Sequence, residues 1–148
     1  MSHPEARTSI ELPASIERVW ERLSALDRYG DWNPFIVRVD GAAVPVVGQR
    51  LVLHVKLFDW GTFASGEQVT RVEPPGTSAT LAWRFAGVLP GLGLVRAERL
   101  QTLTRLDASR TRYETVETFH GLLAPFVPLA SVQRGFERQA TALLAAVR

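Results

Sequence analysis

The sequence predicts an α+β domain: a curved antiparallel sheet of about seven strands wrapped around one long C-terminal helix, with two short helices after the first strand. Three observations predict it. Read as a helix, residues 121–148 put Phe126, Leu129, Val132, Phe136, Ala140, Leu143 and Val147 on one side at steps of three and four, with Arg134, Glu137, Arg138 and Arg148 mostly opposite. Between residues 35 and 120 the apolar period is two instead, in short runs separated by Gly, Pro and Asp turns. Successive strands joined by turns imply antiparallel pairing. A long helix with one apolar stripe needs a broad apolar partner, and a twisted sheet supplies it.

Taken in order, residues 1–6 read as a loose tail and 7–148 as a single domain. Residues 8–12 alternate as a first strand, stopped by Pro13. Ser15 is the expected N-cap of a helix whose Ile16, Val19, Trp20, Leu23 and Leu26 share a face, with Glu17 in the first turn. The turn-rich residues 27–34 hold a short second helix. Asn33, preceding Pro34, is biased out of the helical region and marks the exit into strand. Strands follow at 35–39, 51–58, 67–73 and around Leu81, Trp83 and Phe85. A loop is expected at 41–48, and turns at 59–66 (carrying Trp60 and Phe63) and 74–76. Residues 86–93 form an unusually apolar loop, whose glycines either permit a gating motion or make tight turns. Two long strands, 94–106 and 111–120, close the sheet around residues 107–110.

The totals bound the function. One chain of 148 residues is long enough for one real core. The pI near 9.7 coexists with a net charge of only +2 because almost every base is arginine; Lys56 is the sole lysine. The arginines are scattered, so no nucleic-acid surface is expected. Without cysteine, thiolate chemistry and Cys-based metal sites are excluded. His3, His54 and His120 lack metal-ligand spacing, and no Gly-rich phosphate loop follows a strand, so no metal or cofactor is expected. There is no signal peptide and no run of the ~20 apolar residues a membrane span needs. A cytoplasmic protein is the expectation, with transient membrane contact through the apolar loops left open. Oligomeric state is not legible.

A four-residue turn at 107–110 pairs Leu106 with Thr111, Thr104 with Tyr113, Thr102 with Thr115, Leu100 with Glu117, and Glu98 with Phe119. This register places Glu98, Glu117 and Arg96 on the face towards the long helix. A carboxylate desolvated there has a raised pKa and can shuttle protons near neutral pH, so Glu117 and Glu98 are the candidate catalytic acids. The structural alternative is neutralisation by Arg96 or a place at the wet rim. Trp32, Phe35, Trp60, Phe63, Trp83, Phe85, Phe119, Phe126 and Phe136, with Arg96, are the candidate lining of a ligand pocket between sheet and helix. Plain core is the other reading for the aromatics. Asp31 and Asn33 either present polar groups at the pocket mouth or cap and tie down the turn. His54 and His120 are assigned to the surface.

Three signatures carry a resemblance. They are Pro13-Ala14-Ser15-Ile16-Glu17-Arg18-Val19-Trp20, then Tyr29-Gly30-Asp31-Trp32-Asn33-Pro34-Phe35, then Glu117-Thr118-Phe119-His120-Gly121-Leu122-Leu123. In this order, and with this strand count, the chain resembles the START-like helix-grip superfamily (SRPBCC), in particular its polyketide cyclase/dehydratase and lipid-transport branch. The resemblance implies a helix-grip fold and a small hydrophobic ligand such as a lipid, polyketide or isoprenoid. That scaffold hosts cyclases, dehydratases, hydrolases, carriers, sensors and chaperone activators, so it leaves a carrier or sensor, a cyclase-type enzyme and an interaction module all open.

Overall fold

Seven strands form one antiparallel sheet in the spatial order β1-β7-β6-β5-β4-β3-β2, in a computed structural model that describes residues 3–148. The strands are β1 (Glu5–Leu12), β2 (Ile36–Asp40), β3 (Arg50–Phe58), β4 (Gly61–Glu73), β5 (Ser78–Phe85), β6 (Arg96–Asp107) and β7 (Arg110–His120). The helices are α1 (Ile16–Ser24), the short α2 (Val88–Gly91) and the long α3 (Leu129–Val147). A 3-10 helix (Leu26–Asp31) follows α1, and another (Ala124–Phe126) precedes α3. The sheet curls around α3, so the helix-grip architecture expected from the strand and helix order is the one found.

Local chemistry sets the element ends. Ser15 caps α1, its hydroxyl accepting from the Arg18 amide at 3.2 Å, a contact worth about 1 kcal/mol. Asn33 accepts from the amides of Phe35 and Ile36, both at 2.9 Å, and so fixes the turn into β2; Asp31 pairs with exposed Arg28. For Asn33 the structure takes the turn-forming reading; Asp31 is the last residue of the 3-10 helix, which has no side-chain cap, so it does not fill the capping role. α1 also anchors α3, because Arg18 donates to the carbonyl of Val147 at 2.9 Å and of Arg148 at 3.3 Å. The edge strand β1 is covered by α3. The Gln133 side chain accepts from the Arg7 amide at 2.8 Å and donates to its carbonyl at 2.6 Å, blunting an otherwise unpaired edge.

Several boundaries differ from expectation. β1 begins at Glu5 and Ala6 is fully buried, so residues 3–6 are not a loose tail; Met1 and Ser2 lie outside the described residues. β4 begins at Gly61, so the turn expected over 59–66 shrinks to its first two residues. Hairpin pairing with β3 overrides the weak strand preference of Gly61, Ala64, Ser65 and Gly66. α3 starts at Leu129 rather than 121, because Pro125 and Pro128 interrupt the helical ladder, and Phe126 consequently lies in the preceding 3-10 turn. Residues 86–93 contain α2 and are pinned to the segment after β7 through Leu123 N–H to the Leu94 carbonyl at 2.8 Å. Gly121 makes that approach feasible. Its φ is +106°, and a β-carbon there would meet the carbonyls of Gly93 and Leu94 at 2.7 Å.

Candidate functional site

Where the curl leaves the straight helix, a cavity of about 170 Å³ opens between the inner sheet face and α3. Its apolar wall comes from Phe35, Leu53, Val55, Trp83, Val132 and Phe136, and its outer end from Leu57 and Phe63 of the β3–β4 hairpin with Val95, Val127 and Pro128. Phe35 and Phe136 meet edge to face at 5.8 Å. Phe35 can reach this position because Gly135 of α3 has no side chain; a β-carbon there would overlap the phenyl ring. A glycine inside a helix costs about 1 kcal/mol relative to alanine, and the space for Phe35 is what it provides here.

Three ionisable side chains enter the same lining: Glu67 of β4, Arg99 of β6 and Glu117 of β7. Strand register brings them there. Val69, Trp83, Arg99, Glu117 and Ala6 follow one another across five strands on the inner face, and Glu67 stands two residues along from Val69. Arg99 is 2% exposed. It donates to Thr115 Oγ1 at 2.8 Å, to Gln139 Oε1 at 3.1 Å and to Tyr113 Oη at 3.4 Å, and its guanidinium lies 4.0 Å from the Phe136 ring centre. Tyr113 in turn donates to Gln101 Oε1 at 2.6 Å, and Gln139 donates to the same atom at 3.3 Å. The positive charge thus sits among neutral acceptors and a π face.

The carboxyls are treated differently. Glu67 is 6% exposed, and its Oε2 is buried without a hydrogen-bond partner. Burial, then the charge of Glu117, holds its pKa well above the usual carboxylate range, against the pull of Arg99. Burial pushes Glu117 up to about 7, again with Arg99 opposing. Neither acid forms an ion pair within 4 Å or a side-chain hydrogen bond among the described residues. Two acids and one cation in a mostly apolar chamber can exchange a proton with a bound oxygen or carbon centre near neutral pH.

The structure brings together Phe35, Phe63, Trp83, Phe85, Phe119, Phe136 and Glu117 of the residues singled out from the sequence. It separates the others. Glu98 and Arg96 lie on the outer face. The turn does pair Asp107 with Arg110, as the register expected from the sequence requires, but Leu106 is bulged out between Arg105 and Asp107. From there inward every pairing slips by one, giving Glu98 opposite Thr118, Arg99 opposite Glu117 and Thr104 opposite Arg112. Trp60 is 83% exposed and stacks on Phe58; Phe126 is 80% exposed; Trp32 packs edge-on against Tyr29, away from the cavity lining. His54, assigned to the surface, is half-buried, its Nε2 2.7 Å from Asp40 Oδ2 on the neighbouring strand.

The residues missed were Glu67 and Arg99. Alternation from inward Val69 was enough to place Glu67. For Arg99 the available sign was Gln139, a polar residue inside the apolar stripe of α3 that requires a buried partner. Among the described residues no cluster of three or more potential metal ligands occurs, and no helix is long and apolar enough to cross a membrane.

A curled sheet closed over a helix with a cavity between them defines a START-like helix-grip protein. The family model described as polyketide cyclase/dehydrase and lipid transport matches residues 3–148, and the chain belongs to that family. No curated protein matches it. Among solved structures it is similar to a hypothetical protein from Helicobacter pylori (18% identity, TM-score 0.78, covering 99% of this chain and 89% of that one). It is also similar to a START superfamily protein from Mycobacterium smegmatis (18%, 0.70, 97% and 96%). A third match is the Zhui aromatase/cyclase from Streptomyces sp. R1128 (20%, 0.70, 97% and 90%). At these identities the likeness shows the fold. Family membership supports a ligand-binding or cyclase role.

Proposed function

We propose that the protein binds a small, largely apolar molecule carrying a carbonyl or hydroxyl oxygen between the sheet and α3, and that Glu117 moves a proton on it. The observation that carries this reading is the pair of carboxyls on the cavity wall, Glu67 buried and Glu117 half-buried, without an ion-pair partner. A chamber that only stored hydrocarbon would gain nothing from two acids whose burial is costly. At neutral pH Glu117 is divided between its acid and base forms. As a base it takes a proton from the carbon beside a ketone, the C–H electron pair becoming the enolate π bond. As an acid, with Glu67 nearby, it returns the proton to carbon or to a leaving hydroxyl. Enolisation of this kind is the first step of aldol cyclisation and of dehydration, the reactions in the family's description. A volume near 170 Å³ is of the size that holds one aromatic ring.

Acetophenone in D2O tests this. Its methyl protons should exchange faster with the protein present. The acceleration should rise as pH passes through about 7 and fall roughly 100-fold or more in Glu117→Gln. Equal exchange by the two proteins, with acetophenone bound to both, would remove Glu117 as the proton carrier. That result would support the second reading, a carrier or sensor, which the mainly apolar lining favours.

A further inference from the structure

The outer face of the sheet holds a second concavity, larger than the first and sharing only Phe85 and Ala97 with its lining. Arg50, Gln68, Arg84, Glu98 and Thr118 stand side by side on five adjacent strands, β3, β4, β5, β6 and β7. Adjacent members of such a row are separated by one strand spacing of about 4.8 Å. Arg96 and His120 form the next row, opposite each other on β6 and β7. α2 and its flanking residues fold up beside these rows, and Gly87, Pro90 and Gly91 make a wall. The groove encloses about 810 Å³, and its floor includes Leu100 and Val116.

Its charge is unbalanced. Arg7, Arg28, Arg38, Arg71, Arg105, Arg110 and Arg112 each sit within 4 Å of a carboxylate. Among the described residues Arg50, Arg84 and Arg96 have no such partner and share one groove, whereas Arg18, Arg22, Arg134, Arg138 and Arg148, also without one, lie outside it. The single acid in the groove, Glu98, is likewise unpaired, so the guanidiniums outweigh it by two charges. One of them is held in place. Gln68 donates to the Gly48 carbonyl at 3.0 Å, which turns its Oε1 towards Arg84, and Arg84 donates to that atom at 2.8 Å. The remaining donors of Arg84 are left for a ligand.

We infer that this groove is a binding site for an organic phosphate, the phosphate on Arg84 and Arg96 with Arg50 nearby, and an apolar body against Leu100, Val116 and Pro90. A phosphate monoester carries close to two negative charges at neutral pH, which matches the excess, and guanidinium forks suit its oxygens. A carboxylate would leave one charge unanswered. The groove is also far roomier than inorganic phosphate needs, which is the reason for assigning an organic body.

Phenyl phosphate is the probe, titrated at low ionic strength by calorimetry and by amide chemical-shift mapping. The expected result is binding that moves the amides of Arg84, Arg96 and Thr118 and weakens with added salt. The double variant Arg84→Gln with Arg96→Gln should lose affinity at least tenfold, and Glu98→Gln should gain it. Inorganic phosphate and benzoate should both bind more weakly than phenyl phosphate. The proposal is overturned if the double variant, folded by circular dichroism, binds phenyl phosphate as the wild type does. It is equally overturned if the shifts centre on cavity residues such as Trp83 and Val132, or if benzoate binds as tightly. Arg84, Arg96 and Glu98 do not line the inner cavity, so acetophenone exchange should be untouched in both variants.

Discussion

Towards the β6–β7 turn, the inner sheet face satisfies its buried charge; towards the β3–β4 hairpin, it does not. Arg99 donates to three side chains on two elements and lies over the Phe136 ring. A few ångströms along the same face, buried Glu67 and half-buried Glu117 have no ion-pair or side-chain hydrogen-bond partner among the described residues. Both regions are packed by the same sheet and the same helix, so the difference is not one of access to donors in general. Thr115, Tyr113, Gln101 and Gln139 are placed to serve Arg99, and no equivalent set serves the acids. A partnered buried charge specifies the way α3 lies on the sheet, since Gln139 belongs to the helix and Thr115 to the strand. An unpartnered acid does nothing for folding and destabilises the ionised form. The first arrangement is architecture. The second is what a proton-transfer site needs.

The largest expected effect comes from breaking the partnered end. Arg99→Met fills a similar volume but leaves the acceptors on Thr115 and Gln139 without their donor and removes the contact with Phe136. A loss of about 4 kcal/mol is expected, measured by urea unfolding at pH 7. Arg99 also draws both acids' pKa values downwards, so Glu117 should titrate above 7 in this variant, measurable by carboxyl carbon NMR. A stable protein with an unmoved Glu117 would show that the two regions are independent and that the network is ornamental.

The unpartnered end should reveal itself through pH. An unfolded glutamate titrates near 4.3 and folded Glu117 near 7, so between those values the folded state holds the extra proton. Stability from this group is therefore full below about pH 4.5, falls as pH rises towards 7, and stays low above it. The difference is roughly 3 to 4 kcal/mol. Glu67, raised in the same direction, adds to the slope. Carboxylates whose pKa is lowered, such as Asp40 and Asp107 beside their cations, act in the opposite sense at more acid pH and leave this window clear. Glu117→Gln should be more stable than wild type at pH 8 and nearly equal to it at pH 4.5, by thermal unfolding at both. Equal stability at both values would mean that Glu117 ionises freely and is not the group described.

The sheet, its strand count and the gripping helix could be read from the sequence because apolar periodicity carries them. The stripe from Val132 to Val147 and the alternation from Leu51 to Val55 each admit one reading. β6 does not. Ala97, Arg99, Gln101 and Leu103 face inward, and Arg96, Glu98, Leu100 and Thr102 outward, two sets of nearly equal polarity. Only register distinguishes them, and register depended on the bulge at Leu106, one residue with no composition signal of its own. Glu98 and Arg96 therefore move to the outer groove, and Arg99 takes the interior position. Glu117 stays inside because β7 carries no bulge and Tyr113 and Phe119 fix its face. Phe126 is displaced for a different reason, the prolines on either side of it.

The smallest expected change in stability is at Gly135, and it separates ligand space from charge. Alanine should favour the helix by about 1 kcal/mol, while its methyl group displaces the Phe35 ring, the only way to relieve the overlap without moving the helix. These effects oppose each other, so net stability should change by less than about 1 kcal/mol. The ring can move only along the cavity it already lines, and a cavity sized for one aromatic ring has no room for a second. Gly135→Ala should therefore lose acetophenone binding at least tenfold by titration calorimetry while keeping the wild-type fall in stability between pH 4.5 and 7. Loss of the pH dependence together with binding would place Phe35 and the acids in one coupled unit. Retained binding would mean that the ligand does not lie against Phe35, and the wall of the site would have to be sought nearer Trp83.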